Sequence, residues 1–267
     1  MNYHVEIIKP NVYRIDEFGL GTMYFIQGSQ KGLLIDTGTG VGRISDFLKT
    51  ITALPYDVVL THGHVDHTGG INQFNQVYVH QNDLELALSI DLKSRQLYAA
   101  SILNTYPDSP FKIDDLIDFK QPTQLIPINE NFTFDLGDKT IEVYLASGHT
   151  NGSIFLLDKT DKILFSGDSL QHLELLVRPN PSRKEVVEIW LQHIKTIKKY
   201  QNDFDTICGG HEPLEIDIID KLIHCGEGII NNTLQPIYQQ IHIFKGFFTT
   251  YQNVNITYQP MDEIKDF

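Results

Sequence analysis

An α/β fold is the class this chain predicts, and three observations predict it. Short apolar runs at 56–61, 141–146, 162–168 and 205–208 each lead into a turn that contains glycine. The segments 182–199 and 216–230 repeat apolar residues at helical spacing. At 267 residues the chain is long enough to bury a sizeable core, so one domain over 1–267 is expected.

The elements follow in chain order. Residues 3–8 and 12–15 alternate as an edge hairpin does, and 18–24 reads as a Gly-rich loop carrying Phe18, Met23 and Tyr24. Residues 56–61 read as a short buried strand, and Gly69 and Gly70 give the chain after it the freedom to turn sharply. Residues 82–122 form a helical insertion, with one helix over 83–89, another over 92–103 and a break at 106–110. Long inserted segments in compact domains are usually functional, and this one reads as a lid over a site or as a face of a homo-oligomer. Ser182 and Glu185 make a capping box, after which Val186, Ile189, Trp190, Ile194 and Ile197 form one apolar stripe, with Trp190 read as core. Residues 216–230 form a second helix, and the tail 235–267 reads as a C-terminal hairpin or flap.

The chemistry concentrates after the strand at 56–61, where His62, His64, Asp66 and His67 place four metal-ligand side chains in six residues. Buried without a metal, each would need its own hydrogen-bonding partner. His62 and His64 can point at one metal, and the loop turns Asp66 and His67 toward a second. Imidazoles with a carboxylate suit zinc best, and iron and manganese use the same donors. Three later donors repeat the arrangement of strand, glycine and ligand: His149 after 141–146, Asp168 after 162–167, and His211 after 205–208. The other histidines follow no apolar strand through a Gly turn, and most are read as surface residues.

Taken together, these motifs closely resemble the metallo-β-lactamase-fold hydrolase superfamily. His62, His64, Asp66, His67, His149, Asp168 and His211 match its ligand pattern, and Leu33 to Gly38 is similar to its first motif. The resemblance implies a four-layer αββα sandwich. It implies one metal on His62, His64 and His149, another on Asp66, His67 and His211, and Asp168 bridging them. It also makes Asp36 a support for the ligand loop.

Two divalent cations would acidify a shared water, so a metal-bridging hydroxide is the expected nucleophile on a small ester, thioester or lactone. Asp66 is the catalytic candidate, placed to orient that water and receive its proton. Asp168 stands where the best-known β-lactamase subclasses carry cysteine or serine, and His64 where the flavodiiron reductases carry glutamate. Segments 148–153 and 165–170 are similar to glyoxalase II, but the likeness fades beyond them. In acyl-homoserine lactonases a tyrosine follows the bridging aspartate; here Gln171 and His172 stand there and join Phe18, Met23 and Tyr24 as pocket candidates. The alternatives are a mononuclear iron enzyme resembling the persulfide dioxygenases and a phosphodiesterase of the same fold.

The net charge of −13 opposes affinity for a phosphate backbone, so a small-molecule substrate is expected rather than a nucleic acid. The two cysteines, Cys208 and Cys225, form no CxxC, and no apolar leader or membrane-length run occurs. A cytoplasmic location away from membranes is the expectation.

Overall fold

The computed structural model describes residues 3–176, 183–242 and 244–258. It divides between Glu142 and Val143 into two compact units.

The first unit is built on a seven-stranded sheet whose spatial order is its chain order: β1 (His4–Lys9), β2 (Val12–Asp16), β3 (Thr22–Gln27), β4 (Gly32–Ile35), β5 (Tyr56–Val59), β6 (Gln76–His80) and β7 (Gln124–Ile128). Tight turns join β1 to β4, which pair antiparallel; from β4 onward the pairing is parallel. Parallel neighbours need crossover connections. These are α1 (Ile44–Ile51), the loop bearing α2 (Val65–Thr68), and the insertion with α3 (Leu84–Ser89) and α4 (Leu92–Thr105). The core on this sheet gathers Ile15, Met23, Phe25, Leu34, Leu48, Val58, Leu60 and Val77. A short β8 (Thr133–Asp135) follows.

Two sequence expectations are corrected in this unit. The Gly-rich loop ends earlier than expected: Glu17 donates its backbone N–H to Gly21 (2.9 Å), and β3 already begins at Thr22. Met23 and Tyr24 therefore lie on a strand buried along both faces, which removes the alternation that would have marked it. His80, grouped with the surface histidines, is buried. Its Nδ1 accepts from the Asn82 N–H (3.3 Å) as the chain leaves β6.

The second unit begins within β9 (Thr140–Leu145), whose start pairs with β8 in the first. With β10 (Ile154–Asp158), β11 (Ile163–Gly167), β13 (Thr206–Gly209) and β14 (Pro213–Leu214), it forms a sheet ordered β14-β13-β11-β10-β9-β8. A smaller sheet takes β12 (Leu173–Leu175), β17 (Val254–Thr257), β16 (Phe244–Tyr251) and β15 (Ile237–Ile241) in that order. The tail is thus a meander whose Phe248, Val254 and Ile256 are fully buried; residues 259–267 lie outside the described residues.

Two amphipathic helices cover this core. Helix α5 (Arg183–Lys198) buries Val186, Trp190, Ile194 and Ile197, and α6 (Ile218–Ile230) buries Ile219, Leu222, Cys225 and Ile229. The proposed cap Ser182 lies outside the described residues. The basic run at the end of α5 is spent on ion pairs, Lys195 with Glu227 and Lys198 with Asp220 (both 2.6 Å). Among the described residues no helix is long and apolar enough to cross a membrane.

Candidate metal centre

Each unit carries one group of donors. In the first, β5 delivers the chain to Thr61, and His64 caps the single turn of α2 in extended conformation. The N–H groups of His67 and Thr68 return to the His64 carbonyl (3.1 and 3.0 Å), which closes this single turn between His64 and His67. His62 Nε2 and His64 Nδ1 stand 3.1 Å apart, and His67 Nε2 is 3.6 Å from Asp66 Oδ2.

Asp36 is the base of this loop. It lies at φ +64°, in the left-handed region that aspartate tolerates better than most residues. Its Oδ1 accepts from the Thr61 N–H (2.7 Å), while Oδ2 takes the Thr61 hydroxyl (2.7 Å) and faces His67 Nδ1 (2.8 Å). The last contact puts the His67 proton on Nδ1 and turns the Nε2 lone pair outward, the arrangement a metal-binding histidine needs.

The second unit presents its donors on the ends of β9, β11 and β13. His149 Nδ1 faces the Leu175 carbonyl (3.0 Å); that carbonyl can only accept, so Nε2 again carries the lone pair. Asp168 Oδ2 is 3.7 Å from His149 Nε2 and 3.2 Å from His211 Nε2. Glycine is required at 210, because a Cβ there would run into the Asp168 carboxylate. Trp190 is core, and it also props two ligand turns: a Cβ at Gly148 would meet its ring, and its indole N–H reaches the Ser169 carbonyl (3.3 Å).

Two nitrogens bound tetrahedrally to one zinc stand about 3.3 Å apart. The donor spacings within each group lie around that value, and the lone pairs of His67 and His149 are oriented by the partners of their opposite ring nitrogens. Both groups fit divalent metal ligation.

The pocket candidates are placed less uniformly. Phe18 joins a cluster with Leu20, Val41, Ala99, Phe111 and Leu116; Met23 is in the core and Tyr24 is buried on β3. Gln171 turns back to donate to the Asp168 carbonyl (3.1 Å). His172 spans two acids, Glu212 (2.7 Å) and Glu215 (3.0 Å), tying the segment after Asp168 to the loop after His211. Burial alone would lower its pKa, but the hydrogen bond and charge of Glu212, with Glu215 behind, raise it on balance.

Sequence reasoning missed four side chains. Asp83 accepts from the Gly63 N–H (2.8 Å) between two ligands. The Tyr98 hydroxyl lies 2.7 Å from the Leu20 carbonyl and 3.0 Å from Asp66 Oδ2. Arg95 donates to the carbonyls of Thr39 (2.6 Å), Gly40 (3.1 Å) and Ile117 (2.9 Å). Glu174 is fully buried on β12, where the backbone N–H of Gln171 is the one donor seen to act on its carboxyl among the described residues. Only Glu174 left a sequence signal, an acid inside the apolar run 173–176.

Residues 16–211 match the family model of the metallo-beta-lactamase superfamily. The chain is 32% identical over 161 residues to the acyl-coenzyme A thioesterase MBLAC2 of Gallus gallus, a match covering 55% of this chain and 56% of that one. It is 26% identical over 208 residues to the atrochrysone carboxyl ACP thioesterase dmxR1 of Cryptosporiopsis sp., covering 73% and 53%. The chain thus spans little more than half the length of these curated relatives. Among solved structures, a metallo-beta-lactamase from Pontibacter korlensis shares the fold at TM-score 0.58 and 17% identity, over 85% of this chain and 99% of that one.

Proposed function

The chain belongs to the metallo-beta-lactamase superfamily, and from that premise we propose that it is a binuclear metal-dependent hydrolase of acyl thioesters. One observation carries the hydrolytic reading: in both units, histidine and aspartate donor atoms stand 3.1–3.7 Å apart, with His67 and His149 oriented by Asp36 and the Leu175 carbonyl. The choice of bond is supported by the relatives, since MBLAC2 and dmxR1 are both thioesterases by name. It narrows the wider expectation of an ester, thioester or lactone.

In this reading the seven residues are the metal ligands that the family pattern implies. His62, His64 and His149 would hold one cation, Asp66, His67 and His211 the other, with Asp168 shared. Zinc suits this imidazole-rich set best. The pair of cations would supply Lewis acidity and an acidified water. Asp66, as the carboxylate beside the cations, would orient a water there and would serve as its proton acceptor. Asp36 keeps the His67 proton on Nδ1 throughout, so that ring stays a ligand and not a base. The chain needs no serine or cysteine nucleophile, which agrees with the burial of Cys208 and Cys225.

The test is metal content and thiol release. The full chain loaded with zinc, manganese or iron should hold two ions and release free thiol from an acyl-coenzyme A or an acyl-pantetheine, and His64→Ala should lose that activity. A loaded enzyme inert on thioesters but active on lactones or phosphodiesters overturns the choice of bond. One iron per chain with oxygen uptake on a persulfide overturns hydrolysis itself.

A further inference from the structure

The insertion at 82–122 reaches the Asp66 carboxylate through Tyr98. We infer that Tyr98 is a positioning residue for Asp66, and that helix α4 belongs to the support of the metal loop. The inference rests on the metal-centre reading above.

Three observations within the first unit carry it. First, Tyr98 Oη is 3.0 Å from Asp66 Oδ2, and Asp66 is almost fully buried. A carboxylate on two rotatable bonds is pinned when one of its oxygens is held, and the oxygen held here is the one that stands 3.6 Å from His67 Nε2, so Tyr98 fixes the donor atom itself. Second, Oη is itself anchored, lying 2.7 Å from the Leu20 carbonyl, so its single proton sits between two acceptors in a fixed place. Third, the helix that carries Tyr98 cannot drift. One turn earlier, Arg95 is buried and forks onto the carbonyls of Thr39 and Gly40, holding α4 against the loop that follows β4, and onto that of Ile117 at the far end of the insertion. The ring of Tyr98, with Ile102 and Leu103, packs on the cluster of Phe18, Leu20, Val41 and Ala99. Asp83, at the start of the same insertion, holds the backbone of Gly63 between His62 and His64. A segment fixed at these points is a wall of the site and not a swinging lid.

Removing the hydroxyl while keeping the ring isolates this role. Zinc affinity of the full chain is measured by competition against a chromophoric chelator for wild type, Tyr98→Phe, Asp66→Asn and the double variant. The thermal midpoint with excess EDTA serves as the control for folding. Tyr98→Phe is expected to weaken one of the two equivalents about 10–100-fold, the usual effect of losing an outer partner of a ligand, with the midpoint unchanged. In the Asp66→Asn background the same substitution should add nothing. If wild type binds two ions and Tyr98→Phe binds them equally well, the inference is overturned. An equal further loss in the Asp66→Asn background also overturns it, because Tyr98 would then act elsewhere. A wild-type chain that binds no divalent metal overturns the proposed function, and this inference falls with it.

Discussion

Asp36 beneath the ligand loop of the first unit and Glu174 on β12 of the second are both carboxyl groups sealed from solvent, and their surroundings are opposite. Asp36 meets the Thr61 N–H, the Thr61 hydroxyl and His67 Nδ1 at 2.7–2.8 Å. Glu174 has only the backbone N–H of Gln171 acting on its carboxyl among the described residues, and burial first, then the charge of Asp168, outweighs it and pushes its pKa well above the ordinary value. Glu17 stands between them. It accepts from the backbone N–H groups of Thr39, Gly40 (2.9 Å) and Val41 (2.8 Å), yet its complete burial still outweighs them and raises its pKa to about 7. Burial alone does not make a carboxyl a functional anion; the donors around it do. Asp36 is an organiser because it is answered three times, while the carboxyl of Glu174 is under-answered and its surroundings favour the protonated form.

That contrast can be broken at its strong end first. Asp36→Ala strands the buried donors of Thr61 and His67 and places alanine at positive φ, so unfolding in urea should show a loss of about 3–5 kcal/mol. Asp36→Asn tolerates the backbone and should lose about half of that. A loss below about 1 kcal/mol in both would remove Asp36 from its organising role.

Glu17 supplies the next effect. Its folded pKa near 7 lies above an unfolded value near 4.5, so the folded state binds the proton more tightly. The associated stability is fully present below about pH 4.5 and is lost as pH rises through about 7, on the order of 3 kcal/mol in all. Glu17→Gln should flatten that part of a stability profile taken between pH 5 and pH 8, and an unchanged slope would assign the loss to another group.

The smallest effect has the opposite sign. Glu174→Leu removes a carboxyl whose burial outweighs its one backbone donor and should raise stability at pH 8 by about 1–3 kcal/mol. A destabilised variant would mean that the carboxyl is answered after all, and the contrast with Asp36 would collapse.

Much of the centre was legible in the chain because its signals are local. Histidines and aspartates that follow an apolar strand through glycine are recognisable over ten residues, and the ends of β5, β9, β11 and β13 carry His62, His149, Asp168 and His211 as that pattern predicts. The stripe of α5 and the core role of Trp190 were equally plain. Tyr98, Arg95 and Asp83 were not, because their partners lie 20 to 78 residues away and nothing in the local spacing separates them from ordinary helix residues. Helix α4 carries apolar residues on most of its circumference, so its sequence predicts a helix without saying which side faces Asp66. Met23 and Tyr24 misled for the converse reason. Glycines at 19 and 21 suggested a longer loop, while β3, buried on both faces, offered no alternation against it.

The fork of Arg95 also bears on how such a scaffold can be redesigned. Exchanging the insertion for a segment of similar length would leave the carbonyls of Thr39 and Gly40 without the arginine donor, and the Gly63 N–H without its acceptor. Replacement segments would therefore have to carry an arginine, an aspartate and a tyrosine in the same spatial register, whatever else they changed. The part of the chain most tempting to graft is the part least free to be swapped as a module.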